Sequence, residues 1–130
     1  MYLSLIDFGL FILIWIVQLV IYPSFRYYEE VNLIRWHEKY TTSITIIVLP
    51  LMFSQLILNG LQLYNHVTFF NTFLFGLIVA TWVITFLISV PLHTNISNNV
   101  DVKKSVNSLV RTNWARTFLW SLIVIIRLFS

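Results

Sequence analysis

The chain has 130 residues, 58% of them hydrophobic and only 10% charged, with a formal net charge of +3. A soluble domain carries roughly a quarter charged residues, and a chain this short keeps much of its surface wet, so the remaining solvent for so much apolar surface is lipid. There is no cysteine, which excludes disulfides, thiolate metal sites and cysteine nucleophiles.

One domain, residues 1–130, is expected: an all-α, integral membrane four-helix bundle running up-down-up-down. The first span covers about 3–22. Asp7 stands where a signal peptide would carry a basic leader, and no small-residue cleavage pattern follows, so the segment reads as a retained span. Pro23, which has no amide proton for a continuing helix, is expected to end it. Residues 25–39 are too polar to span. Tyr27, Val31 and Ile34 recur there at helical spacing, which predicts an interfacial helix or an extension of the second span.

Residues 40–100 are all uncharged. As one helix they would run roughly 90 Å, about three times a bilayer core, so they must fold back. Asn59-Gly60 and Asn65-His66 mark the turn, giving spans at about 40–59 and 68–92. Pro50 suggests a kink in the second span. Residues 93–107, rich in Asn and Ser, read as a polar loop, and the fourth span covers about 109–128. Backbone groups in lipid must be satisfied within each segment, which requires helices.

The loop charges predict an orientation. Arg26, Arg35 and Lys39 follow the first span, Lys103, Lys104 and Arg111 follow the third, and no basic residue separates the second from the third. The positive-inside rule places the first and third connections in the cytoplasm and both termini outside.

Polar side chains inside spans are costly, so their placement is informative. Asp7, Phe11, Gln18 and Tyr22 fall on one stripe of the first helix. His37, Thr41, Ile44, Val48, Leu51 and Gln55 do so on the second, Trp82, Thr85, Ser89 and His93 on the third, and Asn113, Arg116, Thr117 and Trp120 on the fourth. Turned inward, the stripes bring Tyr22, His37, Tyr40, His93, Asn113 and Arg116 to one depth near the cytoplasmic ends. Arg116 lies inside the fourth span, where an embedded arginine costs at least about 2.5–3.5 kcal/mol on insertion scales. It therefore needs acceptors from Tyr22, Asn113, helix-end carbonyls or a ligand anion. Asp7 and Arg127 are expected at the interfaces and His66 in a loop.

Three motifs resemble a known family. Ile21-Tyr22-Pro23-Ser24-Phe25 ends the first span, Ser89-Val90-Pro91-Leu92-His93 ends the third, and Val110-Arg111-Thr112-Asn113-Trp114-Ala115-Arg116-Thr117 opens the fourth. The chain thereby resembles the small four-helix bacterial membrane proteins grouped with fungal anthrone oxygenases. That family has a Pro after the first helix, a V-P-L-N-like end to the third and an Asn-x-x-Arg-Thr start to the fourth. His93 stands where the family usually has Asn. The resemblance extends over the arrangement of the whole chain. It implies a multi-pass protein of the bacterial cytoplasmic membrane and a cofactor-independent, oxygenase-like enzyme, in which proton abstraction precedes reaction with oxygen.

The function expected first is binding or oxidation of a lipophilic small molecule. His93, His37 and Arg116 are the candidate catalytic residues, a histidine as general base and Arg116 holding an anionic or enolate oxygen. Tyr22, Tyr40, Asn113, Trp114 and Thr117 are the candidate ligand-binding residues. The alternatives are a haem or metal protein with His37 and His93 as axial ligands, and a structural or assembly subunit of a membrane complex or homo-oligomer. The lipid bilayer is the expected partner, and nucleic acid is not, since the basic residues form no patch on a soluble module.

Overall fold

The computed structural model describes residues 2–129 as four helices, with no strand among them. Helix α1 is Tyr2–Tyr27, α2 Glu30–Asn65 and α3 Phe69–Ser97, and α4 is Val102–Leu128. Among the described residues, α1, α2 and α3 are long and apolar enough to cross a membrane. Helix α4 is the least apolar: Lys103, Lys104 and Arg111 are exposed on it, and Ser105, Asn113, Arg116 and Thr117 are buried. The outer surface has the opposite character. Leu5, Leu19, Ile46, Leu61, Phe86, Leu87 and Phe118 are exposed, an arrangement inverted from that of a water-soluble domain.

Every helix is longer than the span expected of it, although α4 ends at Leu128 as expected. Helix α2 continues unbroken from Glu30, so the polar segment 30–39 extends the second span rather than lying apart from it. Its 36 residues reach about 54 Å. Asn59-Gly60 does not turn the chain. Asn59 is buried, donating from Nδ2 to the Gln55 carbonyl (2.7 Å) and accepting from Arg127 (2.7 Å). The turn comes at residues 66–68, where Thr68 caps α3 by accepting from the Asn71 amide, and Asn71 Nδ2 donates to the His66 carbonyl. Pro50 sits inside α2 without breaking it, at the cost of one backbone bond. The expected polar loop 93–107 is mostly helix. Only residues 98–101 connect α3 to α4, with Asn99 and Asp101 in the left-handed region that their short polar side chains tolerate.

Pro23 does not end α1, and the reason recurs in α3. Each helix contains a π segment, Val17–Ile21 in α1 and Thr85–Ser89 in α3, closed by a five-residue bond from the Tyr22 amide to the Val17 carbonyl and from the Val90 amide to the Thr85 carbonyl. Pro23 and Pro91 each follow by two residues. A proline ring inside a helix collides with the carbonyl four residues back, and a widened turn gives that carbonyl room. Removing Leu87, an exposed residue of the second π segment, is expected to restore α geometry and set the Pro91 ring against a carbonyl. We expect a loss of about 3 kcal/mol in thermal or denaturant unfolding, largely recovered when Pro91→Ala is added. Equal stability of the two variants would break the link between proline and π turn.

Both π segments pack against α4, and residues of both face one space together with the middle of α2. That space is the cavity described next.

Candidate ligand cavity

The cavity has a volume of about 430 Å³, within the size range of small-molecule sites. All four helices contribute. Leu10, Ile14 and Val17 of α1 and Ile44, Val48 and Met52 of α2 form an apolar end. Tyr22, Tyr40, Ser89 and His93 form a polar end, with Arg116 and Trp120 of α4 between the two. Exposed lining residues come from α2 and α3, among them Thr45, Phe86, Val90 and Thr94, so the cavity opens sideways between these helices. Val48, Leu49 and Met52, which flank Pro50, also line it.

Arg116 is 7% exposed. Its Nη1 donates to Ser89 Oγ at 3.3 Å and to Asn113 Oδ1 at 3.4 Å, both long for charge-assisted bonds. The guanidinium lies 5.1 Å from the Trp120 ring centroid, a cation–π contact. Its Nε is buried without a hydrogen-bond partner. No carboxylate pairs with it: the salt bridge among the described residues joins Arg127 to Asp7. The second arginine therefore differs sharply from the first. Arg127 Nε donates to Asp7 Oδ2 at 2.7 Å, and Asp7 Oδ1 accepts from Gln55 Nε2 at 2.8 Å. Gln55 Oε1 in turn accepts from Trp120 Nε1 at 3.2 Å. Asp7 is buried, and the pair ties the start of α1 to the end of α4.

Asn113 and Thr117 stand behind the cavity. Gln18, held in the first π segment, accepts at Oε1 from Asn113 Nδ2 (3.0 Å) and from Thr117 Oγ1 (3.2 Å). Its Nε2 donates to the Val110 carbonyl (3.0 Å). With both residues bonded to Gln18, they fix the α4 face from which Arg116 projects.

The histidines form a chain. The Tyr22 hydroxyl lies 2.9 Å from His93 Nε2, His93 Nδ1 lies 2.7 Å from His37 Nε2, and His37 Nδ1 lies 3.3 Å from Ser97 Oγ. All four ring nitrogens are thus engaged. His93 lines the cavity, whereas His37 is fully buried behind it, stacked on His93 with ring centroids 4.9 Å apart. With metal–nitrogen bonds of about 2.0–2.1 Å, two imidazoles on one ion hold their nitrogens roughly 3.3 Å apart in a tetrahedral site and roughly 4 Å apart across a haem, both longer than the 2.7 Å seen here. The pair as placed does not fit a shared metal or bis-histidine haem. Among the described residues no group of three or more His, Cys, Asp and Glu gathers in metal-binding range.

Of the residues singled out from the sequence, Tyr22, Tyr40, His93 and Arg116 meet at the cavity wall, and His37, Asn113 and Thr117 support them. Trp114 does not join them. It is 46% exposed and stacks edge-on against Trp15 (5.8 Å) on the outer surface, because it faces away from Asn113 and Thr117 on the same helix. Ser89, Ser97, Trp120 and Gln18 take part although the sequence reading did not name them as site residues. Three of these four, Gln18, Ser89 and Trp120, lay on the polar stripes, and that was the available signal. Compared with known protein families, characterised proteins and solved structures, the chain matches none.

Proposed function

We propose that the protein lies in a cytoplasmic membrane as an up-down-up-down bundle and binds a lipophilic small molecule whose anionic or enolate oxygen sits against Arg116. One observation carries this reading: a buried guanidinium facing a cavity, with no carboxylate partner and with Nε unpaired. A folded chain does not keep an uncompensated buried cation without cost, so an anion from outside the chain is the natural complement. The apolar end of the cavity suits a hydrocarbon or aromatic body, and the lateral opening between α2 and α3 suits access from lipid. Proton abstraction from a phenolic or enolisable ring is the chemistry such a site favours. Oxidation by oxygen would follow at the deprotonated ring, in keeping with the anthrone-oxygenase resemblance.

A lipophilic phenol with a built-in signal tests the reading. The full chain in lipid nanodiscs, titrated with an alkylated 4-nitrophenol, is expected to develop the phenolate band at a pH where the free probe is protonated. Titration without that band contradicts an anion site.

The bilayer placement has its own test. The chain has no cysteine, so single substitutions report cleanly. Asn98→Cys in the α3–α4 connection is expected to react with an impermeant maleimide only from the cytoplasmic side, and Val67→Cys between α2 and α3 only from the opposite side. The reverse pattern inverts the bundle, and labelling of both from one side removes the spanning arrangement.

A further inference from the structure

Beyond holding an anion, the cavity has a hydrogen-bonded chain that runs from Tyr22 through the buried His37 to its exposed rim. The links are Tyr22 to His93 (2.9 Å), His93 to His37 (2.7 Å) and His37 to Ser97 (3.3 Å). Tyr22, His93 and Ser97 line the cavity and His37 is fully buried; Ser97, at the end of α3, is also exposed, so it stands at the cavity's rim. A neutral imidazole donates from one nitrogen and accepts at the other, so a chain of two has only two self-consistent states, with every proton pointing outward or every proton pointing inward.

The Arg116 guanidinium lies near the Tyr22 hydroxyl oxygen. A cation beside that oxygen turns its O–H away, toward His93 Nε2. His93 then carries its proton on Nδ1 and donates to His37 Nε2, and His37 carries its proton on Nδ1 and donates to Ser97 Oγ. In this arrangement every proton points outward.

We infer that Tyr22, His93, His37 and Ser97 form a proton relay, through which a phenol or enol entering neutral from lipid loses its proton to the water beyond Ser97. The inference rests on the anion site proposed at Arg116 and specifies its ligand class as a lipophilic weak acid. In the step, the ligand O–H bond breaks and its proton passes to the Tyr22 oxygen. The Tyr22 proton moves to His93 Nε2, the His93 Nδ1 proton to His37 Nε2, and the His37 Nδ1 proton through Ser97 Oγ to water. No electron changes owner. One ligand oxyanion is left against Arg116 and one proton is released outside. The Tyr22 hydroxyl, now receiving a bond from His93 Nε2–H, is free to donate to that oxyanion.

Tyr22 touches the ligand in this scheme, whereas His37 acts only through His93 and is a positioning residue. The relay predicts a signature that a packing role lacks: both histidines change tautomer together when a weak acid binds. The test uses the full chain with ¹⁵N-labelled histidine in nanodiscs, titrated with the alkylated 4-nitrophenol. Free protein is expected to show His37 and His93 protonated on Nδ1, and the complex to show both protonated on Nε2. His66, remote in the α2–α3 turn, is an internal control that stays unchanged. Tyr22→Phe removes a single oxygen and is expected to keep probe binding within about tenfold while abolishing the tautomer change. Phenolate binding to the wild type with unchanged tautomers overturns the relay and leaves the anion site standing. A wild type that binds no phenolate overturns both. A tautomer change that persists in Tyr22→Phe overturns the path through Tyr22.

Discussion

Replacing Arg116 with leucine is expected to make the protein more stable, not less. The wild-type guanidinium is buried with two long hydrogen bonds, the Tyr22 hydroxyl nearby, a cation–π contact and an unpaired Nε. Leucine removes the desolvated charge and leaves two neutral acceptors, Ser89 Oγ and Asn113 Oδ1; Asn113 keeps its bond to Gln18. Exchanging buried charges for apolar side chains is commonly neutral or stabilising, and the insertion cost of arginine sets the scale at about 2.5–3.5 kcal/mol. Thermal unfolding in detergent, followed by helicity, should show a higher midpoint for Arg116→Leu. A midpoint lowered by several degrees would mean that Arg116 is a structural tie, and that its charge is satisfied within the chain.

The opposite outcome is expected at the far end of the bundle. Asp7 and Arg127 are separated by 120 residues and meet at 2.7 Å, with Asp7 buried and Gln55 and Asn59 completing the network. Removing one partner of a buried pair costs about 3–5 kcal/mol, because the other charge stays desolvated, whereas an exposed pair costs at most about 1 kcal/mol. Asp7→Ala should therefore destabilise the chain strongly, and the double variant Asp7→Leu with Arg127→Leu should regain most of the loss. The network also reaches Trp120 through Gln55, so Asp7→Ala is expected to loosen the ring that packs on Arg116. A loss below about 1 kcal/mol would move this pair to the surface class.

The two arginines also show what the sequence could and could not reveal. Charge is scarce enough that Arg116, His93, Tyr22, Tyr40 and His37 stood out against an apolar background, and helical spacing set them on inward faces. Nothing local to either residue told that Asp7 meets Arg127, because the partners are brought together only by the closing of α1 on α4. The extension of α2 over residues 30–39 was one of the two readings open from the sequence. Residues 93–97 differ from the loop expected of them, because a polar composition does not by itself end a helix. The π segments have no composition of their own. Their one trace is a proline two residues later, at Pro23 and Pro91, which by itself reads as a helix stop. Trp114 was drawn into the site by adjacency in sequence to Asn113, although one residue along a helix turns the side chain by about 100°.

If Arg116 holds its charge for an anion from outside the chain, that charge must tell an ionisable ligand from its neutral twin. The most direct measurement compares two ligands on two proteins: the alkylated 4-nitrophenol and its methyl ether, each titrated by calorimetry into wild type and Arg116→Leu in nanodiscs. The ether has the same apolar body and no proton to lose. Wild type is expected to prefer the phenol by about 10- to 100-fold, the worth of a charge-assisted bond, and Arg116→Leu to bind the two within about threefold. A wild type that binds phenol and ether equally, or a variant that keeps the full preference, would contradict the account.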